Sequence, residues 1–192
     1  ISYGLGTENQ NLPSFVVLRD PDGYSTSGGL MSKSGWLPAL YGGTEFSSRG
    51  DPVQNLSPAL PVGANVRRRG LEFLRELNEE HRRRYPEKSE LETRIQNYEL
   101  AARMQMTATD VLDISRETAA TRTMYGLDVA PKENFGTRCL MARRLVESGV
   151  RFVLVTAPIQ HGGMPWDHHG YLDRDIPKIS RQVDQPSAAL IA

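Results

Sequence analysis

The sequence predicts an α/β fold with a mostly parallel sheet. Asn134 can cap an amphipathic helix that ends at Ser148-Gly149, since glycine is the usual residue at the left-handed stop of a helix. Residues 150–156 follow at once and are nearly all apolar, as in a strand covered on both faces. After a polar loop comes a last helix, which Pro177 and Pro186 are expected to interrupt. Helix, glycine, strand and loop form one half of a parallel α/β layer.

The chain divides into three segments of a single incomplete domain. Residues 1–65 are rich in glycine, serine and proline, with one strand candidate at 14–18 that a turn at 20–23 closes. Residues 66–125 are predicted to be helical. Residues 126–192 contain the helix, the strand, the polar loop and the final helix. The chain is therefore long enough for one α/β core with a helical insertion.

Two amphipathic helices open the helical segment, at 66–85 and 91–106. In both, apolar residues recur every three or four positions, and together the helices predict a hairpin. Two shorter helices are predicted at 110–114 and 115–124, the second with Ser115 as its N-cap.

Charge and hydropathy exclude several classes of partner. The 23 basic and 23 acidic residues cancel, so no general attraction to nucleic acid or to membranes is expected. Arginine clusters at 67–69 and 82–84 are interpreted as solvated helix faces, with a local patch for polyanions as the alternative. No run approaches the roughly 20 apolar residues of a transmembrane segment.

Cys139 is the single cysteine, so an internal disulfide is excluded. It lies beside Leu140 in a predicted amphipathic helix, which favours a small buried side chain. A catalytic thiol would need an exposed and electropositive setting, and the sequence gives no sign of one.

The loop at 160–170 is the strongest functional signal, because it joins one carboxylate to three imidazoles after an apolar strand. Loops at the carboxyl ends of parallel strands form the ligand crevice of open α/β sheets. Oxygen and nitrogen donors together suit zinc or another borderline divalent ion, whereas calcium prefers oxygen ligands. The candidate ligands are Asp167 and His169, with His161 and His168 as further candidates. The alternative is that Asp167 caps the next helix while the imidazoles bond to nearby backbone.

Other polar and aromatic residues are candidates for substrate contact. Glu8, Asn9 and Asn11 precede the first predicted strand and could line a pocket, although such side chains equally satisfy loop backbone. Trp166 could form a substrate platform, but a large aromatic residue is more often a buried packing wall.

Four segments together resemble a known family. They are residues 2–18, Gly35-Trp36-Leu37-Pro38-Ala39, residues 142–153 and Trp166-Asp167-His168-His169-Gly170, in that order. They are similar to the bacterial family called domain of unknown function 1501, whose fold resembles that of alkaline phosphatases and sulfatases. The likeness runs over essentially all of the chain.

The resemblance implies a site that this chain holds only in part. It suggests a piece of a three-layer fold of the alkaline phosphatase and sulfatase type, with the helical hairpin as an insertion. The family's Trp-Asp-Thr-His pattern matches Trp166, Asp167 and His169, whereas His168 stands where threonine is commoner. Family members are longer, so we expect an internal fragment that is inactive alone, with its nucleophile and further ligands in absent segments.

The expected function follows from that resemblance. It implies a hydrolase of sulfate or phosphate esters that uses a divalent ion (zinc, manganese or calcium) and acts on a small molecule or a polysaccharide. It also implies a periplasmic or secreted location, although the chain shows no signal segment. The alternative is a binding or cell-surface scaffold that keeps the fold without catalysis.

Overall fold

A parallel sheet lies at the centre of the fold. The computed structural model describes residues 1–23, 28–53, 63–87, 89–130, 132–159 and 166–192. Within these residues the sheet has three strands, β1 (Phe15–Leu18), β2 (Thr44–Phe46) and β3 (Phe152–Val155), in the order β2-β1-β3. Both pairings are parallel, and Val16 lies opposite Thr44 on one side and Val153 on the other. The predicted α/β class with a parallel sheet is confirmed.

Six α-helices accompany the sheet in the described residues. They are α1 (Ser2–Leu5), α2 (Ala64–Arg84), α3 (Ser89–Leu112), α4 (Ala119–Met124), α5 (Glu133–Glu147) and α6 (Leu172–Ile191). Short 3-10 turns occur at Gly28–Ser32, Ala39–Tyr41 and Ile114–Arg116. In the described part of the chain, no helix is both long enough and apolar enough to cross a bilayer.

Two apolar clusters hold the layers together. The larger one joins β1 to α3 and α5, and its buried members include Val16, Leu18, Met104 and Leu145. Each such side chain contributes roughly 1.5–3 kcal/mol when it is removed from water. The smaller cluster joins α5 to α6 and to the end of α4; its buried members are Tyr125, Phe135, Cys139, Leu140 and Ala189. α5 therefore has one face on the sheet side and another against α6.

β1 is the buried strand of the sheet, and β3 is not. All four residues of β1 are buried, whereas all four residues of β3 are only partly buried. The prediction that β3 is covered on both faces is therefore wrong. Apolar composition shows that a strand can be buried, but it does not show whether other elements cover it. In the described part of the chain, β3 pairs with β1 alone.

The first segment has more regular structure than its composition indicates. Besides β1 it contains α1 and β2, neither of which the sequence predicts. Gly43 precedes β2 closely, and a Cβ atom at this position would lie 2.6 Å from Val17 Cγ2. The glycine thus permits the close approach that lets β2 pair with β1.

Helices begin at different caps from those predicted. α4 begins at Ala119 with Thr118 as its N-cap, whose Oγ1 accepts a hydrogen bond from the backbone N–H of Thr121 at 3.1 Å. Ser115 instead donates its backbone N–H to Asp113 Oδ1, inside the 3-10 turn. The N-cap of α5 is Lys132, so the proposed cap at Asn134 is also wrong.

Two helices are longer than predicted. α3 continues to Leu112 and absorbs the separate helix expected at 110–114. α6 runs through both prolines, although each removes a backbone donor and costs about 3 kcal/mol in a helix interior. Ile179, Pro186 and Ala189 are buried, and the packing of α6 against α5 stabilises the helix across these interruptions.

Candidate functional site

The carboxyl ends of β1 and β3 are joined by a short polar network. Thr156 follows β3, and its backbone N–H donates to the carbonyl of Leu18 at 3.2 Å. Asp20 lies two residues beyond β1, and its N–H donates to Thr156 Oγ1 at 2.9 Å. Because parallel strands end at the same edge of a sheet, these side chains lie where α/β proteins bind ligands.

A buried ion pair lies beneath this edge. Arg138, from the middle of α5, donates through Nη2 to Asp20 Oδ2 at 2.8 Å, and the two side chains are 0% and 4% exposed. The Arg138 guanidinium also lies over the Phe135 ring, 5.6 Å from its centroid. Burial lowers the pKa of Arg138, while the negative charge of Asp20 acts in the opposite direction. Arginine side chains stay charged in proteins, so the pair is a contact between opposite charges.

More charges of both signs surround the pair. Arg19 lies 3.4 Å from Glu45, and Arg49 Nη1 lies 2.9 Å from Asp22 Oδ1. With Arg138 and Asp20, these make three arginines and three carboxylates, so their charges cancel. A cavity of about 30 Å³ lies beside Arg19, Glu45 and Thr156, which is room for about one water molecule.

Asp167 and His169 contact each other, as their spacing suggests. Asp167 Oδ1 lies 2.7 Å from His169 Nε2, and the side chains are 39% and 88% exposed. Both precede α6, in the segment that follows β3. The described residues contain no group of three His, Cys, Asp or Glu side chains arranged to hold a metal ion. The pair is thus two potential ligands rather than a complete site.

The other candidate residues of this loop are His168, Trp166 and His161, and the two that the structure describes differ in burial. His168 is partly buried, and its Nε2 is enclosed without a hydrogen-bond partner among the described residues. Its backbone N–H donates to the carbonyl of Trp166 at 3.2 Å. Trp166 is 45% exposed, so it is not the buried packing wall that its size favours. His161 lies outside the described residues.

Glu8, Asn9 and Asn11 connect the first segment to the turn between α5 and β3. Glu8 lies 2.8 Å from Arg151 Nη1, and Asn9 donates through Nδ2 to the carbonyl of Ser148 at 2.7 Å. Asn11 N–H donates to Asn9 Oδ1. The two hydrogen bonds of Asn9 thus satisfy the backbone of Ser148, at the end of α5, and of Asn11, in the loop before β1. Among the described residues, no hydrogen bond or ion pair joins them to Asp167 or His169.

The large cleft of the described residues also lies at the amino ends of the strands. It has a volume of about 660 Å³, between the first residues of the chain and α3. Pro13 and Gly43, which precede β1 and β2, line one side of it, and Leu100 and Met104 line the other. The cleft is thus separate from the edge that carries Asp20 and Thr156.

Sequence reasoning missed the Asp20 and Arg138 pair. Asp20 falls in an Asp-Pro-Asp-Gly stretch, whose composition indicates only a turn. Arg138 is a charged residue on the face of α5 that also carries Phe135 and the neighbouring buried Cys139. A charge on a buried helix face is the signal that could have identified it, because such a charge needs a partner.

Comparison with known proteins identifies the family of this chain. No curated protein and no solved structure matches it significantly. The family model described as a protein of unknown function, DUF1501, matches residues 1–192. The resemblance of the four sequence segments is thereby confirmed, and the chain belongs to the DUF1501 family.

Proposed function

We propose that this chain contributes part of the active site of a metal-dependent hydrolase of sulfate or phosphate esters, with an alkaline phosphatase-like fold. Asp167 and His169 would be two of the metal ligands. The observation that supports this proposal most directly is the 2.7 Å distance between Asp167 Oδ1 and His169 Nε2. Two different donors already lie side by side, in a segment that follows the carboxyl end of β3.

The pair fits a divalent ion with a small adjustment. Ligand atoms about 2.0–2.2 Å from a tetrahedral zinc ion lie about 3.4 Å apart, so the contact would open by less than 1 Å. The exposure of both side chains leaves space for an ion and for further ligands. Those ligands would come from outside the described residues, since zinc in catalytic sites normally has three protein ligands. Zinc or manganese suits the oxygen and nitrogen donors better than calcium does.

The balance of charge at the carboxyl edge also favours a metal ion. Each arginine around Asp20 is paired with a carboxylate. This edge therefore has little excess positive charge that could bind an anionic ester. A bound divalent ion would supply that charge and would stabilise the negative charge that develops on a sulfuryl or phosphoryl oxygen. The buried pair of Asp20 and Arg138 would hold the ends of β1 and β3 in place beneath the site.

Metal content and turnover test the proposal together. The full-length protein, loaded with zinc, manganese or calcium, should hydrolyse at least one member of a panel of sulfate and phosphate esters. Asp167→Ala and His169→Ala should each lower the bound metal at least tenfold, because a site with one ligand fewer binds much more weakly. Asp51→Ala and His81→Ala remove an exposed carboxylate and an exposed imidazole elsewhere, and should change neither quantity. Unchanged metal content in the Asp167 and His169 variants would contradict the assignment of the ligands.

The second candidate is a binding or cell-surface scaffold that keeps the fold. It is favoured by the incomplete ligand set, since the described residues contain no group of three side chains arranged to hold a metal ion. Metal stoichiometry separates the two candidates. A hydrolase should hold one or two ions per molecule, and chelation should remove them together with activity. A scaffold should hold less than one ion and should fold equally well in the presence of a chelator.

A further inference from the structure

The outer face of α2 carries large apolar side chains that the rest of the described structure does not cover. Val66, Phe73, Leu74 and Leu77 are 67%, 59%, 54% and 49% exposed. At about 100° per residue they lie within one third of the helix circumference. None of them belongs to either core cluster. Four such residues on one face form a contiguous apolar stripe, which is typical of a protein–protein contact.

Charges flank this stripe in an ordered way. Arg69 and Glu80 lie beside it on one side, at helical angles only about 20° apart. The arginine is in the first half of α2 and the glutamate is in the second half. This flank of the stripe therefore has a positive charge near one end and a negative charge near the other, in positions symmetric about Leu74 and Arg75.

We propose that the α2 stripe binds the α2 stripe of a second copy of this chain, with the two helices antiparallel. In that arrangement a twofold axis passes near Leu74, and Arg69 of each copy lies opposite Glu80 of the other. A twofold contact of this kind is self-complementary, because each residue pair occurs twice. A parallel arrangement would place arginine against arginine and glutamate against glutamate.

The ion pairs within α2 do not oppose this contact. Glu79 lies 3.2 Å from Arg82, and Glu80 lies 3.1 Å from Arg84, both at exposed positions. Exposed pairs contribute little to stability, and a carboxylate can accept hydrogen bonds from more than one donor. The apolar stripe supplies the attraction, and the flanking charges select the direction of the helices. The proposal does not depend on any catalytic role of the chain.

Sedimentation velocity over a range of concentrations tests it on the full chain. The unmodified protein should form a dimer. Arg69→Glu and Glu80→Arg should each weaken dimerisation about tenfold, because two attractive contacts per dimer become repulsive. The double variant R69E/E80R should recover the original affinity, since it restores both contacts with the charges exchanged. Arg83→Glu makes the same change of charge as Arg69→Glu, but about half a turn away from Leu74, and should have little effect.

Circular dichroism should show unchanged helix content in every variant, because the substituted side chains are exposed. A monomer at all concentrations would overturn the proposal. Failure of the double variant to recover the affinity lost in the two single variants would overturn the antiparallel arrangement. An equal loss in the Arg83 variant would show that only net charge matters, and would overturn it as well.

Discussion

The carboxylate of Asp20 and the guanidinium of Arg138 meet at 2.8 Å in a place that water does not reach. The contact joins the end of β1 to the middle of α5, and Arg138 Nη2 also lies 3.5 Å from the carbonyl of Thr156 after β3. One ion pair thus connects three elements of the fold at the carboxyl edge of the sheet.

Removing one partner of this pair should be strongly destabilising. Asp20→Ala leaves the Arg138 charge buried and unpaired, so we expect a loss of about 3–5 kcal/mol in the free energy of unfolding, measured with urea. Combining Asp20→Ala with Arg138→Met should recover part of that loss, because no buried charge remains. Asp22→Ala removes the partner of Arg49 from an exposed pair and should cost less than about 1 kcal/mol. Similar losses for Asp20 and Asp22 would contradict the structural role of the buried pair.

Glu117 should make stability depend on pH. Its Oε1 lies 2.9 Å from Arg143 Nη2 and 2.7 Å from Arg144 Nη1. Burial alone would raise the pKa of Glu117, but the hydrogen bonds and charges of Arg144 and Arg143 outweigh burial, and the pKa is lowered. A lowered pKa in the folded state means that the stabilisation is complete above the unfolded pKa of about 4.3 and is lost as pH falls through the folded pKa.

The measurement is the difference in unfolding free energy between the unmodified protein and Glu117→Gln. It should be constant between about pH 6 and pH 8 and should shrink below about pH 4. Glu87→Gln, at an exposed position without an ion pair among the described residues, should give a difference near zero at every pH. A Glu117 difference that did not shrink in acid would show that the carboxylate charge is not what stabilises this contact.

Two helical glycines should respond oppositely to alanine. A Cβ atom at Gly136, in α5, would collide with the backbone carbonyl oxygen of Tyr125, whereas one at Gly70, in α2, would meet nothing within 4 Å. Gly70→Ala should therefore stabilise the monomer by about 0.5–1 kcal/mol through helix propensity. Gly136→Ala should lower the stability of the folded protein, although alanine has the same advantage in helix propensity there. The backbone must shift to remove the collision with Tyr125. Thermal unfolding of dilute protein measures both, and a stabilised Gly136 variant would contradict the close packing of α5 on Tyr125.

Cys139 should be inert in the folded protein. The side chain is 1% exposed, and burial raises the pKa of its thiol to about 12. Reaction with a disulfide reagent needs the thiolate, so labelling at pH 8 should be negligible in buffer and complete in denaturant. Rapid labelling of the folded chain would contradict the observed packing between α5 and α6.

The sequence predicted the elements whose side chains follow a clear period. β1, β3, α2 and α5 are all found close to their expected positions, because their apolar residues recur as a strand or a helix requires. β2 was missed because Thr44–Phe46 has three residues with one buried side chain, which is too short for any period. The prolines of α6 were expected to divide it, but burial of Ile179 and Pro186 outweighs that local preference.

The candidate site was predictable only where its parts are close in sequence. Asp167 and His169 are two residues apart, a spacing that lets their side chains converge. Asp20 and Arg138 are separated by 118 residues. No local pattern links an aspartate in a turn to an arginine in a helix, and only the packing of α5 on the sheet brings them together. The sequence leaves the role of Glu8 and Asn9 open, because the polar residue types that line a pocket also satisfy loop backbone.

That long separation has a consequence for synthesis on the ribosome. When β1 leaves the exit tunnel, Arg138, whose guanidinium neutralises Asp20, has not yet been made. The strand β3, which pairs with β1, has not been made either. Both contacts can therefore form only after more than a hundred further residues have been translated, which takes at least about 5 seconds at about 5–20 residues per second. During that interval β1 lacks these two partners, and a slower rate of translation would prolong the delay.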